Sequence, residues 1–247
     1  MGSGASSNNV QTNHIGYAVQ VGNTTIGTGN GGPGIQVNYG ASRNVIGAPL
    51  PIDNPMLVRG NDIEFNSGPG IWVAPNSGNS NVVRLNSIAQ NGGLAIDLGA
   101  LGPTPNGPPG SEANHLQAWP TVLQGLYNAD VLSSASSWVH VTMQETTFPA
   151  APVYIDVYLS GTCQLGNGRG DAEVPLVTQY VLPHSDGLID QWIRVPYNFG
   201  AFDIQNGGFL AATATVDDGS MVTGDTSEIG ACIHSSGDLI FRDDSGG

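Results

Sequence analysis

Between residues 58 and 98 the apolar positions recur twice in the same order. The first copy reads Val58-Arg59-Gly60-Asn61-Asp62-Ile63, then Asn66-Ser67-Gly68-Pro69-Gly70-Ile71-Trp72-Val73. The second reads Val83-Arg84-Leu85-Asn86-Ser87-Ile88, then Asn91-Gly92-Gly93-Leu94-Ala95-Ile96-Asp97-Leu98, an offset of 25 residues throughout. Short strands with Asn and Gly between them, repeated without helical spacing, predict a solenoid of β coils. Stacking then places Ile63 over Ile88, Ile71 over Ile96 and Asn61 over Asn86. One coil cannot bury its apolar face alone; a stack can. In Asn-x-Ile the two named residues share parity and both point inward. A polar residue recurs inside because stacked amides hydrogen-bond one another along the stack.

The same themes occur earlier. Val10 to Ile15 matches Val58 to Ile63, and Asn30 to Val37 matches Asn66 to Val73. Asn23-Thr24-Thr25-Ile26-Gly27 and Asn44-Val45-Ile46-Gly47 form a third theme. About four coils are expected, near 10–27, 30–47, 57–81 and 82–100. The first spacing is tight, with 16 residues from Val19 to Ile35, so the top of the stack is expected to be irregular. A Pro/Gly stretch over 101–119 ends this pairing. Beyond it strands are expected near 120–125, 137–144, 153–159, 175–182, 188–195, 208–217 and 226–233. Val153, Ile155, Val157 and Leu159 alternate with Tyr154, Asp156 and Tyr158. Seven such strands predict an antiparallel, immunoglobulin-like β-sandwich over 120–234. Residues 1–9 read as a leader, 10–100 as the coils and 235–247 as a tail. Nothing before residue 10 looks like a solenoid cap, so the chain is expected to be the carboxy-terminal part of a longer solenoid. An upper end left open in that way invites end-to-end self-association.

Composition narrows the partners. The chain has 36 glycines, only 11% charged residues and a formal charge of −14. Its six basic residues are all arginine, at 43, 59, 84, 169, 194 and 242. Such a surface repels phosphate backbones and anionic lipid, which argues against nucleic acid and membrane-surface partners. No apolar run reaches the roughly 18 residues of a membrane span. Cys163 and Cys232 lie too far apart for a CxxC metal site. They read as a disulfide, with two buried thiols as the competing reading. With the low Lys content this predicts an exported protein, secreted or on the cell surface.

The chain resembles large secreted bacterial proteins with right-handed parallel β-helix repeats. The solenoid likeness rests on Asn13-His14-Ile15-Gly16, on Gly40-Ala41-Ser42-Arg43-Asn44-Val45-Ile46-Gly47 and on Asn91 to Gly99. The sandwich likeness rests on Ala113-Asn114-His115-Leu116-Gln117-Ala118-Trp119-Pro120, on Ala211 to Asp217 and on Thr226 to Cys232. Gly237-Asp238-Leu239-Ile240-Phe241-Arg242-Asp243 is similar to short tails of exported proteobacterial proteins. The resemblance implies fold and an extracellular place but no single activity. The resemblance implies a linker whose aspartates form a candidate calcium site in relatives. Here Pro105 to Glu112 contains none.

Three constellations carry candidate chemistry. Asp62 and Glu64 flank Ile63 on one outer strand face, about 6.5–7 Å apart by strand geometry. Inverting glycosidases place their carboxylates about 6.5–9.5 Å apart; the bland reading is two solvated acids beside Arg59. The outward residues of the Gly-Ile-x-Val theme stack as Gln20, Gln36, Trp72 and Asp97, an aromatic plane with polar neighbours that suits a glycan. The bland reading is a Trp covered by the linker or the sandwich. Asp217, Asp218, Asp225 and Glu228 could supply oxygen ligands to calcium, against ordinary hairpin chemistry around Asp218-Gly219. No cofactor is otherwise expected. Together these features predict a non-catalytic extracellular binding or adhesive module for polysaccharide or cell-surface glycan. The competing classes are a polysaccharide-cleaving glycoside hydrolase using Asp62 and Glu64, and a purely structural spacer.

Overall fold

The computed structural model describes residues 4–16, 18–22, 24–48, 60–108, 110, 113–126, 136–148, 151–163, 170–196, 208–217, 219 and 224–235. The protein is all-β, with stacked parallel sheets followed by antiparallel ones. The parallel part has three sheets of three strands. One holds β1 (Asn9–Val10), β6 (Val45–Gly47) and β9 (Val82–Arg84). The next holds β2 (His14–Ile15), β7 (Asp62–Glu64) and β10 (Ser87–Ala89). The last holds β5 (Ile35–Val37), β8 (Ile71–Val73) and β11 (Ile96–Leu98). The expected register holds: Ile15, Ile63 and Ile88 align, as do Ile35, Ile71 and Ile96.

The four expected coils are three among the described residues. Residues 10–27 and 30–47 are not successive coils. β3 (Ala18–Val21) and β4 (Thr24–Gly27) pair antiparallel with each other, as a hairpin inserted between β2 and β5. The reason is length, since 16 residues from Val19 to Ile35 cannot complete a coil but can close a hairpin. The third theme fails with it. Ile26 faces Val19, whereas Ile46 pairs with Val10 above and Val83 below.

Asparagine ladders run down the stack. Asn8, Asn44 and Asn81 form one, Asn13, Asn61 and Asn86 a second, and Asn30, Asn66 and Asn91 a third. In each step the upper Nδ2 donates to the lower Oδ1 at 2.8–2.9 Å. The residue before the ladder Asn turns the corner in a left-handed conformation. Ser7, Thr12, Arg43, Phe65, Ser80, Leu85 and Gln90 have φ between 52° and 61°. Such residues cost about 1–2 kcal/mol each, and the buried amide bonds offset part of that. Gly47 has φ +94°, and a Cβ there would sit 2.0 Å from the Arg84 carbonyl oxygen of the next coil. Only glycine fits that corner.

The antiparallel part has two sheets. One is β12 (Thr121–Leu126), β13 (Ser137–Gln144) and β16 (Leu188–Val195). The other is β15 (Val174–Val181), β14 (Val153–Ser160), β17 (Phe209–Val216) and β18 (Ile233–His234). Val139, Val141, Ile189 and Ile193 of the first share a core with Val153, Ile155, Val157, Leu210, Ala212 and Ala214 of the second. Cys163 and Cys232 are joined as a disulfide, Cα–Cα 6.1 Å. The expected strand 226–233 is reduced to β18, apart from isolated bridge residues at Thr226 and Ala231. The residues before β18 face the coils instead and hold them.

β14 is buried along its whole length, because it packs on both faces. Tyr158, Ala172, Ala211 and Ile229 join the same apolar cluster as Ile63, Ile88 and Ile96. The antiparallel part therefore covers the open edge of the last coil. The Leu85 N–H donates to the Tyr158 hydroxyl at 3.0 Å, and the Val83 N–H to Thr226 Oγ1 at 2.9 Å. The Ile88 N–H donates to the Ala172 carbonyl at 2.8 Å, and the Ile88 carbonyl accepts the Ala172 N–H at 2.9 Å. Leu98 donates to Glu228 Oε1 at 3.1 Å. Asn114 adds a fourth rung to the first ladder, its Oδ1 accepting the Asn81 N–H at 3.0 Å. Arg84 and Asp156, both wholly buried, meet through Nε–Oδ2 at 2.7 Å and Nη2–Oδ1 at 2.6 Å. An unpaired strand edge that would template aggregation is thus closed from within. The opposite end is formed by β1, β2 and β5, each paired with a described strand on one side alone.

Candidate functional site

One outer face of the antiparallel part lies on the coils; the other, on β12, β13 and β16, does not. Strand parity sets what that free face carries. On β13, Val139, Val141 and Met143 turn inward, so Trp138, His140, Thr142 and Gln144 turn outward. On β16, Ile189, Ile193 and Val195 turn inward, and Leu188, Asp190, Trp192 and Arg194 turn outward. The register pairs Trp138 with Arg194, His140 with Trp192, Thr142 with Asp190 and Gln144 with Leu188. β12 adds Gln124 opposite His140 and Leu126 opposite Trp138.

The centre of the face is Trp192, 41% exposed. Its ring stacks on His140, with centroids 4.6 Å apart and planes within 11°. His140 lies on β13, so the other face of the indole looks away from β13, to the side where β16 has no described neighbour strand. The His140 ring is held in turn. Its Nε2 lies 2.5 Å from Asp190 Oδ1. This hydrogen bond fixes the imidazole and, through the stack, the indole. The result is a pre-positioned aromatic plane with Asp190 and Arg194 two residues to either side along the strand, about 6.5–7 Å away.

The residues expected to form a glycan platform on the coils are placed differently. Gln36, Trp72 and Asp97 do align across β5, β8 and β11. Gln20 does not join them, because β3 pairs with β4. Trp72 is half-buried, and its indole N–H donates to the Gly99 carbonyl at 2.9 Å. Asp97 is 1% exposed and accepts the Gly102 N–H at 3.0 Å. The chain leaving β11 folds back over this end of the row, so Asp97 is withdrawn from any ligand. Burial pushes the Asp97 carboxyl up to about 7, and the nearby Glu228 adds to the rise.

Asp62 and Glu64 share the outer face of β7, as expected. Asp62 lies 2.9 Å from His14 Nδ1. Glu64 is raised above the ordinary carboxyl range, first by burial and then by Asp62 and Glu173. Glu173 is a third acid, brought from just before β15. The described acids of the expected oxygen-ligand set each hold backbone or side-chain partners. Asp217 holds the Gly219 N–H, Asp225 holds the Ser80 N–H and His115, and Glu228 holds the Leu98 and Thr104 N–H groups. Asp218 lies outside the described residues. Among the described residues, no group of three or more His, Cys, Asp or Glu is placed to hold a metal ion.

The free face escaped the sequence reading, although its parity was legible in Ser137 to Gln144 and Leu188 to Val195. What the sequence lacked was the register that puts His140 against Trp192, and the knowledge that the opposite sheet would be covered. Comparison with protein-family models, curated proteins and solved structures finds no match.

Proposed function

We propose that this protein is a non-catalytic extracellular binding module that holds a polysaccharide on the free face of β12, β13 and β16. The observation that carries the reading is Trp192, 41% exposed and stacked on His140 by one ring face, on a strand with no described neighbour on its other side. A sugar ring offers a flat array of C–H groups to an aromatic plane and hydroxyls to polar neighbours. Asp190, Thr142 and Gln124 supply those neighbours. A charge of −14 without lysine disfavours nucleic acid and densely anionic ligands. The disulfide supports export to an oxidising place, secreted or at the cell surface. In the same reading the coils are a right-handed parallel β-helix like those of large secreted bacterial proteins. The antiparallel part is an immunoglobulin-like sandwich that caps it. The edges of β1, β2 and β5 are where copies would associate end to end.

A second reading has its own support. Asp62 and Glu64 lie on one strand face, and Glu64 is raised by burial while Asp62 contacts His14. A carboxyl whose pKa is raised, beside a second acid, is the arrangement a glycosidase uses. Affinity electrophoresis in gels containing neutral polysaccharides, with a reducing-end assay on the same mixtures, separates the possibilities. Retention without new reducing ends, lost in Trp192→Ala, supports binding. New ends that vanish in Glu64→Gln support cleavage instead. Neither retention nor new ends leaves a structural spacer.

A further inference from the structure

We propose that Arg194 makes the free face prefer a glycan carrying isolated carboxylates, that is, a neutral backbone with a uronic acid unit at intervals. The inference rests on the glycan-binding reading of this face and names its ligand class. Arg194 is exposed, directly opposite Trp138 and two residues from Trp192 on the same side of β16. Its Nε donates to Ser136 Oγ at 2.9 Å. That bond fixes the guanidinium plane and leaves the two terminal nitrogens free to donate. Among the described residues no carboxylate lies within ion-pair distance of Arg194, in a chain with 20 acids and six arginines. The nearest acid along the strand on that face, Asp190, is engaged by His140. By contrast the buried Arg84 has its own carboxylate in Asp156.

A planar fork of N–H donors matches a planar carboxylate, and arginine is the residue that recognises it with defined geometry. Placed beside an indole that stacks a sugar ring, such a fork reads the substituent of the next ring or of a branch. The net charge sets the other limit. At −14 the protein repels a polymer charged on every unit, so the fit is to carboxylates set apart along an uncharged chain. Salt screens both effects: it weakens the exposed contact at Arg194 and relieves the general repulsion.

The test uses the full chain and matched pairs of oligosaccharides on glucan and xylan backbones, each with and without one glucuronic acid unit, titrated calorimetrically. The parent protein is expected to bind the acid-bearing member of a pair at least about fivefold more tightly than the neutral one. Arg194→Gln removes that preference and leaves the neutral member's affinity unchanged; Arg194→Lys keeps the charge without the fork and retains only part of it. Equal binding of both members by the parent, or a preference that survives Arg194→Gln, overturns the proposal and leaves the glycan reading standing. Loss of the neutral member as well in Arg194→Gln also overturns it, because the arginine would then be packing rather than selecting. Binding of no member by the parent sinks the glycan reading, and this inference with it.

Discussion

The Arg84–Asp156 pair is where the two parts of the molecule depend on each other most. Both side chains are fully buried, joined by two bonds of 2.6–2.7 Å, with Thr178 Oγ1 donating to Asp156 at 2.7 Å. The guanidinium also lies 4.9 Å from the centre of the Tyr154 ring. Asp156→Asn keeps the shape but leaves a buried cation without its counter-charge. Breaking a buried pair by one partner costs about 3–5 kcal/mol, whereas replacing both with apolar residues is often neutral. At about 2–4 °C per kcal/mol for a chain of this size, Asp156→Asn should lower Tm by roughly 6–20 °C. The double variant Arg84→Met/Asp156→Leu should recover most of that loss. Urea unfolding of parent, both single variants and the double variant gives the coupling energy. A cost below about 1 kcal/mol for Asp156→Asn, or a double variant as unstable as the two singles added together, would refute the reasoning.

Two further predictions concern the stack. Burial raises the Asp97 carboxyl from 3.8 to about 7, so the fold favours its neutral form. That contribution is complete below pH 3.8 and is lost as pH rises to about 7, on the order of 4 kcal/mol. Asp97→Asn keeps an acceptor for the Gly102 N–H; its Tm should match the parent's near pH 4 and exceed it at pH 8, and parallel pH profiles would contradict this. Asn66 accepts from the Asn30 N–H and Nδ2 and donates to Asn91 Oδ1. Asn66→Ala orphans partners on both sides and should cost about 3 kcal/mol by urea unfolding; a loss below about 1 kcal/mol would show that the ladder contributes little.

The coils were legible because their period is strict where it matters. Ile63 and Ile88, or Ile71 and Ile96, could be aligned by eye, and their parity told inside from outside. The coil number was not legible, because insertions of unequal length break the period. A hairpin occupies 18–27, and the ladder steps are 36 and 37 residues in the first ladder, 48 and 25 in the second, and 36 and 25 in the third. The role of 224–230 was also hidden. Thr226 and Glu228 read as strand residues but serve N–H groups of Val83 and Leu98, more than a hundred residues away. Asn114 read as part of the antiparallel unit and is a ladder rung. The expected platform residue Trp72 pointed outward as its parity required, yet the chain after Leu98 returns over that row, and no local pattern announces such a return. Trp192 was missed for the converse reason: its openness follows from which sheet meets the coils.

The claim that the free face binds glycan is tested most directly by tryptophan fluorescence during titration with a neutral oligosaccharide. A sugar ring on the open indole face changes the emission of Trp192, one of four tryptophans at 72, 119, 138 and 192. Loss of that stack removes about 1.4 kcal/mol or more of binding, at least tenfold in affinity. The account predicts a saturable emission change in the parent and in Trp72→Phe, and its loss in Trp192→Ala, with the Tm of Trp192→Ala held within a few degrees of the parent's. A Trp192→Ala variant that binds as tightly as the parent, or a signal that disappears in Trp72→Phe instead, would contradict it.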